Sequence, residues 1–249
     1  MQAIFHRHTN SKGFTVVELI VVITVTAILS GMLFGPLNDL YTANVSSSAQ
    51  ITQDSDTRGV LRQIANDLTS TTGFVDTIAV PATPTGSNNL TASWIYTLPS
   101  NAAAANVDTD TQVLMGKVYA TDLPYDHEDR RPIGAGTACD LSQQTFVQNT
   151  YVYFVKLGTL YRRTMVNSPN AGTPCAAISQ KQSCQTPNGT NCLASDAVLL
   201  RNVRSFLVTY DTPSATAAKA ATITVRTQPT SVVSSISPTE ASIRISLAQ

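Results

Sequence analysis

Cysteines are the most reactive side chains of this chain, and their number and spacing limit the chemistry they can do. The chain has 249 residues and four cysteines, all in its C-terminal half, at Cys139, Cys175, Cys184 and Cys192. An even count of this kind predicts two disulfides formed in an oxidising compartment. A zinc site is the alternative, but no two of these cysteines form the Cys-x-x-Cys pair of common zinc sites.

The segment 167–192 carries three of the cysteines and needs covalent support if it is to be ordered. It is punctuated by Pro and Gly and shows neither helical nor strand periodicity. Four cysteines allow three pairings. Cys139 and Cys175 flank a predicted hairpin at similar distances along the chain, so we favour Cys139 with Cys175 and Cys184 with Cys192. The other two pairings stay open.

A short acidic cluster offers oxygen ligands of the kind that calcium binds. Its members are Asp122, Asp126, Glu128 and Asp129, and Arg130 and Arg131 follow directly. The cluster lacks the alternation and the glycine of an EF-hand loop. We therefore favour a solvated turn whose charges neutralise one another, with calcium as the alternative, and we expect no cofactor.

The charge balance and the histidine count argue against two broad classes of function. Sixteen Lys and Arg residues balance sixteen Asp and Glu residues, so nucleic-acid binding by bulk charge is not expected. His6 and His8 stand at the extreme N-terminus, which leaves His127 for the rest of the chain. No nucleophile motif or phosphate-cradling glycine loop is present. We therefore expect a structural or binding protein rather than an enzyme.

Residues 14–34 form an apolar run that is interrupted by Glu18 and a few Thr, Ser and Gly residues. As a helix this run would rise ~31 Å at ~1.5 Å per residue, which matches the ~30 Å hydrocarbon core of a bilayer. No Ala-x-Ala-like cleavage site follows it, which argues against a secretory signal peptide. Because Arg7 and Lys12 precede the span, we expect the N-terminus inside the cell and the bulk of the chain outside.

Glu18 is the exception within this span, since a carboxylate at hydrocarbon depth costs ~2.5–3.5 kcal/mol on insertion scales. The apolar neighbours outweigh that cost, because each Leu, Ile, Val or Phe contributes ~0.3–0.6 kcal/mol. Ionisable residues within a membrane are functional by default when a partner can be named. We therefore expect Glu18 to have a functional role.

The residues around Glu18 resemble a known N-terminal signature. The run KGFTVVEL at residues 12–19 resembles the KGFTxxEL signature of type IV pilins and type II secretion pseudopilins. The resemblance implies that a prepilin peptidase cuts after Gly13 and methylates the new amine of Phe14. It also implies assembly with other pilin or pseudopilin subunits on an inner-membrane assembly platform, with Glu18 of one subunit neutralising the Phe14 amine of its neighbour. An ordinary signal anchor with a stray glutamate is the alternative.

The sequence predicts four regions, namely a leader peptide over 1–13, a transmembrane helix over 14–35, a helical stem over 36–73 and a β-rich globular domain over 74–249. Leu61, Ile64, Ala65 and Leu68 form one apolar stripe, so we expect the stem to pack on the domain. Gly73 is expected to end a helix that runs from 15 to 72. A coiled coil is the alternative, although no sustained heptad supports it.

Beyond Gly73, short β-prone runs separated by Pro, Gly and Asn predict an antiparallel sheet, and the predicted fold class is α+β. The clearest hairpin covers 150–165 and turns at Gly158 and Thr159. Further strands are expected over 92–98, 112–120, 221–226 and at least the second half of 198–210, with a loop over 81–89. A last strand should place Ile243, Ile245 and Leu247 on its inner face.

A resemblance to J-type minor pseudopilins and related minor pilins lies in the order and residue pattern of three segments. They are the hairpin, the stretch 198–210 and the closing strand. The cysteine segment 167–192 departs from that pattern. The resemblance implies a minor subunit at or near the tip of a type IV pilus or a type II secretion pseudopilus. Before assembly the subunit would span the inner membrane once, with its globular domain periplasmic or extracellular. A tip adhesin or ligand-binding module that uses 167–192 is the alternative.

Overall fold

The computed structural model describes residues 13, 15–79, 93–95, 112–124, 127–135, 145–166, 175–184, 187, 192–228 and 238–247. The chain divides into two compact units, Met1–Ser48 and Ala49–Gln249. One long helix, α1 (Val16–Leu68), contributes residues to both units. The rest of the described chain is almost entirely β-structure, so the α+β prediction is confirmed.

In the described ranges, fourteen strands follow α1, with one short 3₁₀ helix, Ala215–Ala217, among them. In chain order they are β1 (Thr71–Phe74), β2 (Thr77–Ala79), β3 (Ser93–Ile95), β4 (Leu114–Tyr119), β5 (Gly134–Ala135), β6 (Thr145–Phe146), β7 (Gln148–Lys156), β8 (Thr159–Met165), β9 (Ser183–Cys184), β10 (Ala194–Ser195), β11 (Ala197–Arg201), β12 (Val203–Tyr210), β13 (Ala220–Thr227) and β14 (Thr239–Ser246).

Two antiparallel sheets form the body of the second unit. The larger has five strands in the order β1-β4-β7-β8-β11, and the smaller has three in the order β12-β13-β14. Three two-stranded ribbons accompany them, of which β2–β3 and β5–β6 are antiparallel and β9–β10 is parallel. The strands predicted over 92–98 and 112–120 correspond to β3 and β4, while the loop predicted over 81–89 lies outside the described residues.

The core of the second unit joins the C-terminal part of α1 to both sheets. Leu61, Ile64 and Leu68 are at most 3% exposed, so the predicted apolar stripe is confirmed. They belong to one buried cluster with side chains of both sheets, which include Tyr153, Phe206 and Ile223. The inward placement of the last strand is also confirmed, because Ile245 is buried and Ile243 and Leu247 pack against the same cluster.

The helix ends earlier than the sequence predicts, at Leu68 instead of residue 72. The Thr69 hydroxyl and N–H both donate to the Asn66 carbonyl, at 2.7 and 3.3 Å, and thereby cap the last turn. Gly73 does not end the helix, because it lies within β1 and pairs with Lys117 of β4. The stretch from Thr71 therefore gains sheet hydrogen bonds that outweigh a further turn of helix.

Left-handed residues occur at two turns, and the first of these turns differs from its predicted position. The β7–β8 hairpin turns at Leu157 and Gly158, with φ of 48° and 70°, one residue earlier than predicted. The second half of 198–210 is confirmed as β12, while a turn at Asn202, where φ is 60°, separates it from β11 so that the two strands belong to different sheets. Asparagine and glycine tolerate this region of backbone space, whereas leucine adopts it only under constraint.

Candidate functional site

Glu18 lies in the first turn of α1 and forms a reciprocal cap with Thr15. The Glu18 carboxylate accepts hydrogen bonds from the Thr15 backbone N–H at 2.9 Å and from the Thr15 hydroxyl at 3.0 Å. The Glu18 N–H in turn donates to Thr15 Oγ1 at 3.3 Å. This capping box satisfies amides that the start of a helix leaves without an intrahelical partner. The carboxylate therefore points back toward the N-terminal end of α1.

The predicted processing residues flank this cap. Gly13 is exposed, and no atom of the described residues beyond its chain neighbours lies within 4 Å of the position that a Cβ would take there. Phe14 lies outside the described residues.

The N-terminal part of α1 carries an apolar surface that the first unit does not cover. The large apolar side chains from Val16 to Phe34 are all at least 50% exposed. This stretch is long and apolar enough to cross a membrane, which fits a single-pass membrane anchor. An apolar surface of this size is stable only against lipid or other protein.

The described cysteines are disulfide-bonded. Cys184 and Cys192 form a disulfide with a Cα–Cα distance of 5.9 Å, which is the pairing that the sequence analysis favours. Cys175 is also disulfide-bonded. Cys139 lies outside the described residues, so its pairing with Cys175 stays a prediction. None of the described cysteines is a free thiol that could bind a metal.

The second half of the cysteine segment is attached to the five-stranded sheet. The Ser183 hydroxyl donates to Asp196 Oδ1 at 3.0 Å and accepts the Thr164 N–H at 2.8 Å. The Gln182 side-chain carbonyl accepts the Val166 N–H at 2.8 Å. This part of the segment therefore completes the hydrogen bonding of β8 and of the residue that follows it.

The acidic cluster forms a turn. Asp122 Oδ1 accepts the Arg131 N–H at 2.8 Å, and His127 Nδ1 accepts the Asp129 N–H at 3.3 Å. Glu128 is exposed, and Asp126 lies outside the described residues. No group of three or more His, Cys, Asp or Glu side chains that could hold a metal ion occurs among the residues that the structure describes.

A buried polar network, which the sequence does not predict, joins α1 to the five-stranded sheet. Asp67 Oδ2 accepts hydrogen bonds from the Tyr153 hydroxyl at 3.0 Å and from Arg162 Nη1 at 2.5 Å. The Arg162 guanidinium also lies 5.0 Å from the centre of the Tyr151 ring. The position of Asp67 directly before Leu68 of the apolar stripe was the signal that could have revealed a buried acid.

This network sets the protonation of its members. Burial, reinforced by the charge of Asp67, raises the pKa of Tyr153 well above its ordinary value of 10.0. For Arg162, burial acts to lower the pKa, but the attraction of Asp67 outweighs it and the pKa is raised. Tyr153 is therefore a neutral donor and Arg162 a permanent cation at neutral pH.

Comparison with known proteins adds one match. Residues 8–34 match the family described as the prokaryotic N-terminal methylation motif. The motif indicates a pilin or pseudopilin that prepilin peptidase processes and that assembles with other pilin subunits as a structural protein. No curated protein and no solved structure matches the chain.

Proposed function

We propose that this chain is a minor pilin or pseudopilin that is incorporated at or near the tip of a type IV pilus or a type II secretion pseudopilus. The observation that carries the proposal is the methylation motif over residues 8–34, at the head of an uncovered apolar helix. Before assembly the chain spans the inner membrane once, with its N-terminus inside. Its globular domain then lies in the periplasm or outside the cell.

Cleavage of the leader peptide creates the positively charged Phe14 amine with which Glu18 can pair. Prepilin peptidase cuts between Gly13 and Phe14 and methylates the new amine, which leaves a cation directly before Thr15. In the uncut chain the Glu18 carboxylate is occupied by the Thr15 N–H and hydroxyl. After the cut, the carboxylate of one subunit pairs with the Phe14 amine of its neighbour and sets the axial register. This pairing compensates the free-energy cost of desolvating each of the two charges.

The position near the tip is supported by the domain that the stem carries. The second unit holds two main sheets, three ribbons and a disulfide-stapled segment. A domain of this breadth is easiest to accommodate where no subunit stacks above it. The assembly platform and the neighbouring subunits are the partners that this position requires.

Mass spectrometry of the chain extracted from its own cells tests the processing step. We expect a polypeptide that begins at methylated Phe14. A functional chain that retains residues 1–13 would overturn the proposal.

Incorporation into filaments tests the role of Glu18. We expect Glu18→Ala and the isosteric Glu18→Gln to be cleaved normally but to be lost from sheared filaments. Asp39→Asn is the matched control, because Asp39 is an exposed acid of α1 beyond the apolar run. Normal incorporation of Glu18→Gln would show that the carboxylate is not used in assembly.

A further inference from the structure

A basic groove lies on the second unit, between α1, the five-stranded sheet and the turn that contains the acidic cluster. Arg62 contributes from α1, Arg162 from β8, and Arg130 and Lys181 from the two loop segments. Asp67 is the one acid among the described residues that line the groove. Arg62, Arg162 and Lys181 therefore share one carboxylate of the lining, whereas Arg130 belongs to the turn that also carries Asp122, Glu128 and Asp129.

Asp67 cannot neutralise the other cations of the groove, because its carboxylate is already paired with Arg162. Asp67 Oδ2 binds both Arg162 Nη1 and the Tyr153 hydroxyl, and the Asp67 side chain is 10% exposed. Arg62 and Lys181 are exposed and have no hydrogen bond or ion pair within the described part of the chain. The groove therefore keeps uncompensated positive charge on two of its walls.

The floor of the groove is held in place. Arg162 is fixed by Asp67 and by the Tyr151 ring beneath it, and its Nε is buried with no hydrogen-bond partner. The Thr164 and Ser179 side chains add hydroxyl groups to the lining. A ligand with several oxygen acceptors would find the Arg162 guanidinium fixed on the floor and the exposed cations Arg62 and Lys181 at the rim.

The spread of the cations indicates the class of ligand. Compact phosphate sites use backbone amides at a helix N-terminus, whereas α1 contributes its C-terminal turns to this groove. Nucleic-acid sites interleave cations with exposed aromatic rings, but Tyr151 is only 2% exposed. Carboxylates distributed along a chain match cations that come from three separate segments.

We propose that this groove binds an acidic segment of a partner protein, with Arg62 and Lys181 as the cations that recognise its carboxylates. The inference rests on the proposed function to the extent that an assembly subunit has protein neighbours. The binding is direct and needs no filament, so it can be measured on the purified chain.

Fluorescence anisotropy with a labelled twelve-residue peptide of alternating Asp and Gly tests the groove, on the full chain in non-ionic detergent. We expect the double variant Arg62→Gln/Lys181→Gln to have a dissociation constant about tenfold higher than the wild-type chain, which is the effect of losing two partly exposed ion pairs. Lys219→Gln/Arg244→Gln is the control, because it removes the same charge from exposed positions elsewhere. Higher salt should weaken the binding to the wild-type chain and to the control alike.

Several outcomes would overturn the proposal. They are equal binding by the two double variants, equal binding of an Asn-Gly peptide, complete competition by millimolar inorganic phosphate, and tighter groove-dependent binding of a single-stranded oligonucleotide. Failure of the groove is distinguishable from failure of the proposed function. If the chain does not bind the acidic peptide but still enters filaments in a Glu18-dependent way, the groove proposal is wrong and the proposed function stands.

Discussion

The Arg163 guanidinium and the Asp196 carboxylate form a two-pronged ion pair in the interior of the second unit. Arg163 Nε donates to Oδ1 at 3.0 Å and Nη2 donates to Oδ2 at 2.7 Å, while the two side chains are 7% and 1% exposed. Asp196 also accepts the Ser183 hydroxyl. The pair therefore ties β8 to the segment that carries the Cys184–Cys192 disulfide.

Removing the charge of Asp196 should destabilise the chain strongly. Asp196→Asn leaves the buried Arg163 cation without its counter-charge, which costs about 3–5 kcal/mol of unfolding free energy. Glu240→Gln is the control, because the Arg226–Glu240 pair is partly exposed and its loss should cost at most about 1 kcal/mol. Urea unfolding followed by circular dichroism measures both. Similar losses in the two variants would contradict the prediction.

Asp76 should contribute stability that acid removes. Burial acts to raise its pKa, but hydrogen bonds from the Ser214 and Thr216 hydroxyls and from the Ala215 N–H hold the pKa below its ordinary value of 3.8. A lowered pKa in the folded state means that the contribution is complete above pH 3.8 and is lost as the pH falls through the folded value.

We therefore expect Asp76→Asn to lower the unfolding free energy at pH 7 and to flatten its decline below about pH 4. Asp56→Asn removes an exposed carboxylate of α1 and should leave the profile unchanged. Unfolding free energies measured between pH 2 and pH 8 decide the matter. A decline in Asp76→Asn as steep as in the wild-type chain would refute the assignment.

Two glycines should respond to alanine in opposite directions. A Cβ on Gly116 would lie 2.7 Å from Leu68 Cδ2, and Leu68 is fully buried, so Gly116→Ala should cost about 1–3 kcal/mol. Gly59 is an exposed position of α1, and apart from its own helix turn no described atom lies within 4 Å of an added methyl group, so Gly59→Ala should stabilise the chain by about 0.4–1 kcal/mol. Melting temperatures that shift in the same direction would count against this packing.

The disulfides can be mapped on the purified chain. Non-reducing proteolysis and mass spectrometry should recover Cys184 linked to Cys192, and we expect Cys139 linked to Cys175. Cys184→Ser/Cys192→Ser should cost about 2–3 kcal/mol, the entropy of a short closed loop. A peptide that links Cys175 to Cys184 would contradict both assignments.

The attachment of the cysteine segment affects how an adhesive role could be examined. Deleting 168–191 would remove Gln182 and Ser183, whose side chains complete the hydrogen bonding of Val166 and Thr164. Loss of attachment after such a deletion would therefore report on folding as much as on binding. Substitutions confined to exposed side chains of the segment and its flank, such as Leu193→Ser, leave those hydrogen bonds in place.

Local patterns were sufficient to predict much of this fold. The spacing of Leu61, Ile64 and Leu68 identified the face of α1 that is buried, because a helix repeats every 3.6 residues. Alternation along the last strand identified Ile245 as inward. The early end of α1 was missed because the pairing of β1 with β4 is made with residues more than forty positions away.

The polar interactions could not be predicted in the same way. Asp67 and Arg162 are 95 residues apart, and Arg163 and Asp196 are 33 apart. Which of several neighbouring arginines meets which acid depends on strand register, and a shift of one residue would exchange Arg162 for Arg163 on each face. The basic groove depends on the same register, so the sequence does not show that Arg62, Arg162 and Lys181 lie together.

The helix α1 consists of a stretch before Thr57, whose side chains are not buried, and a stretch from Thr57 onward, which packs in the core of the second unit. In the described part of the chain, every buried side chain lies at or after Thr57. Substitutions in the first stretch can therefore change membrane insertion or contacts with neighbouring subunits while they leave the core of the second unit intact.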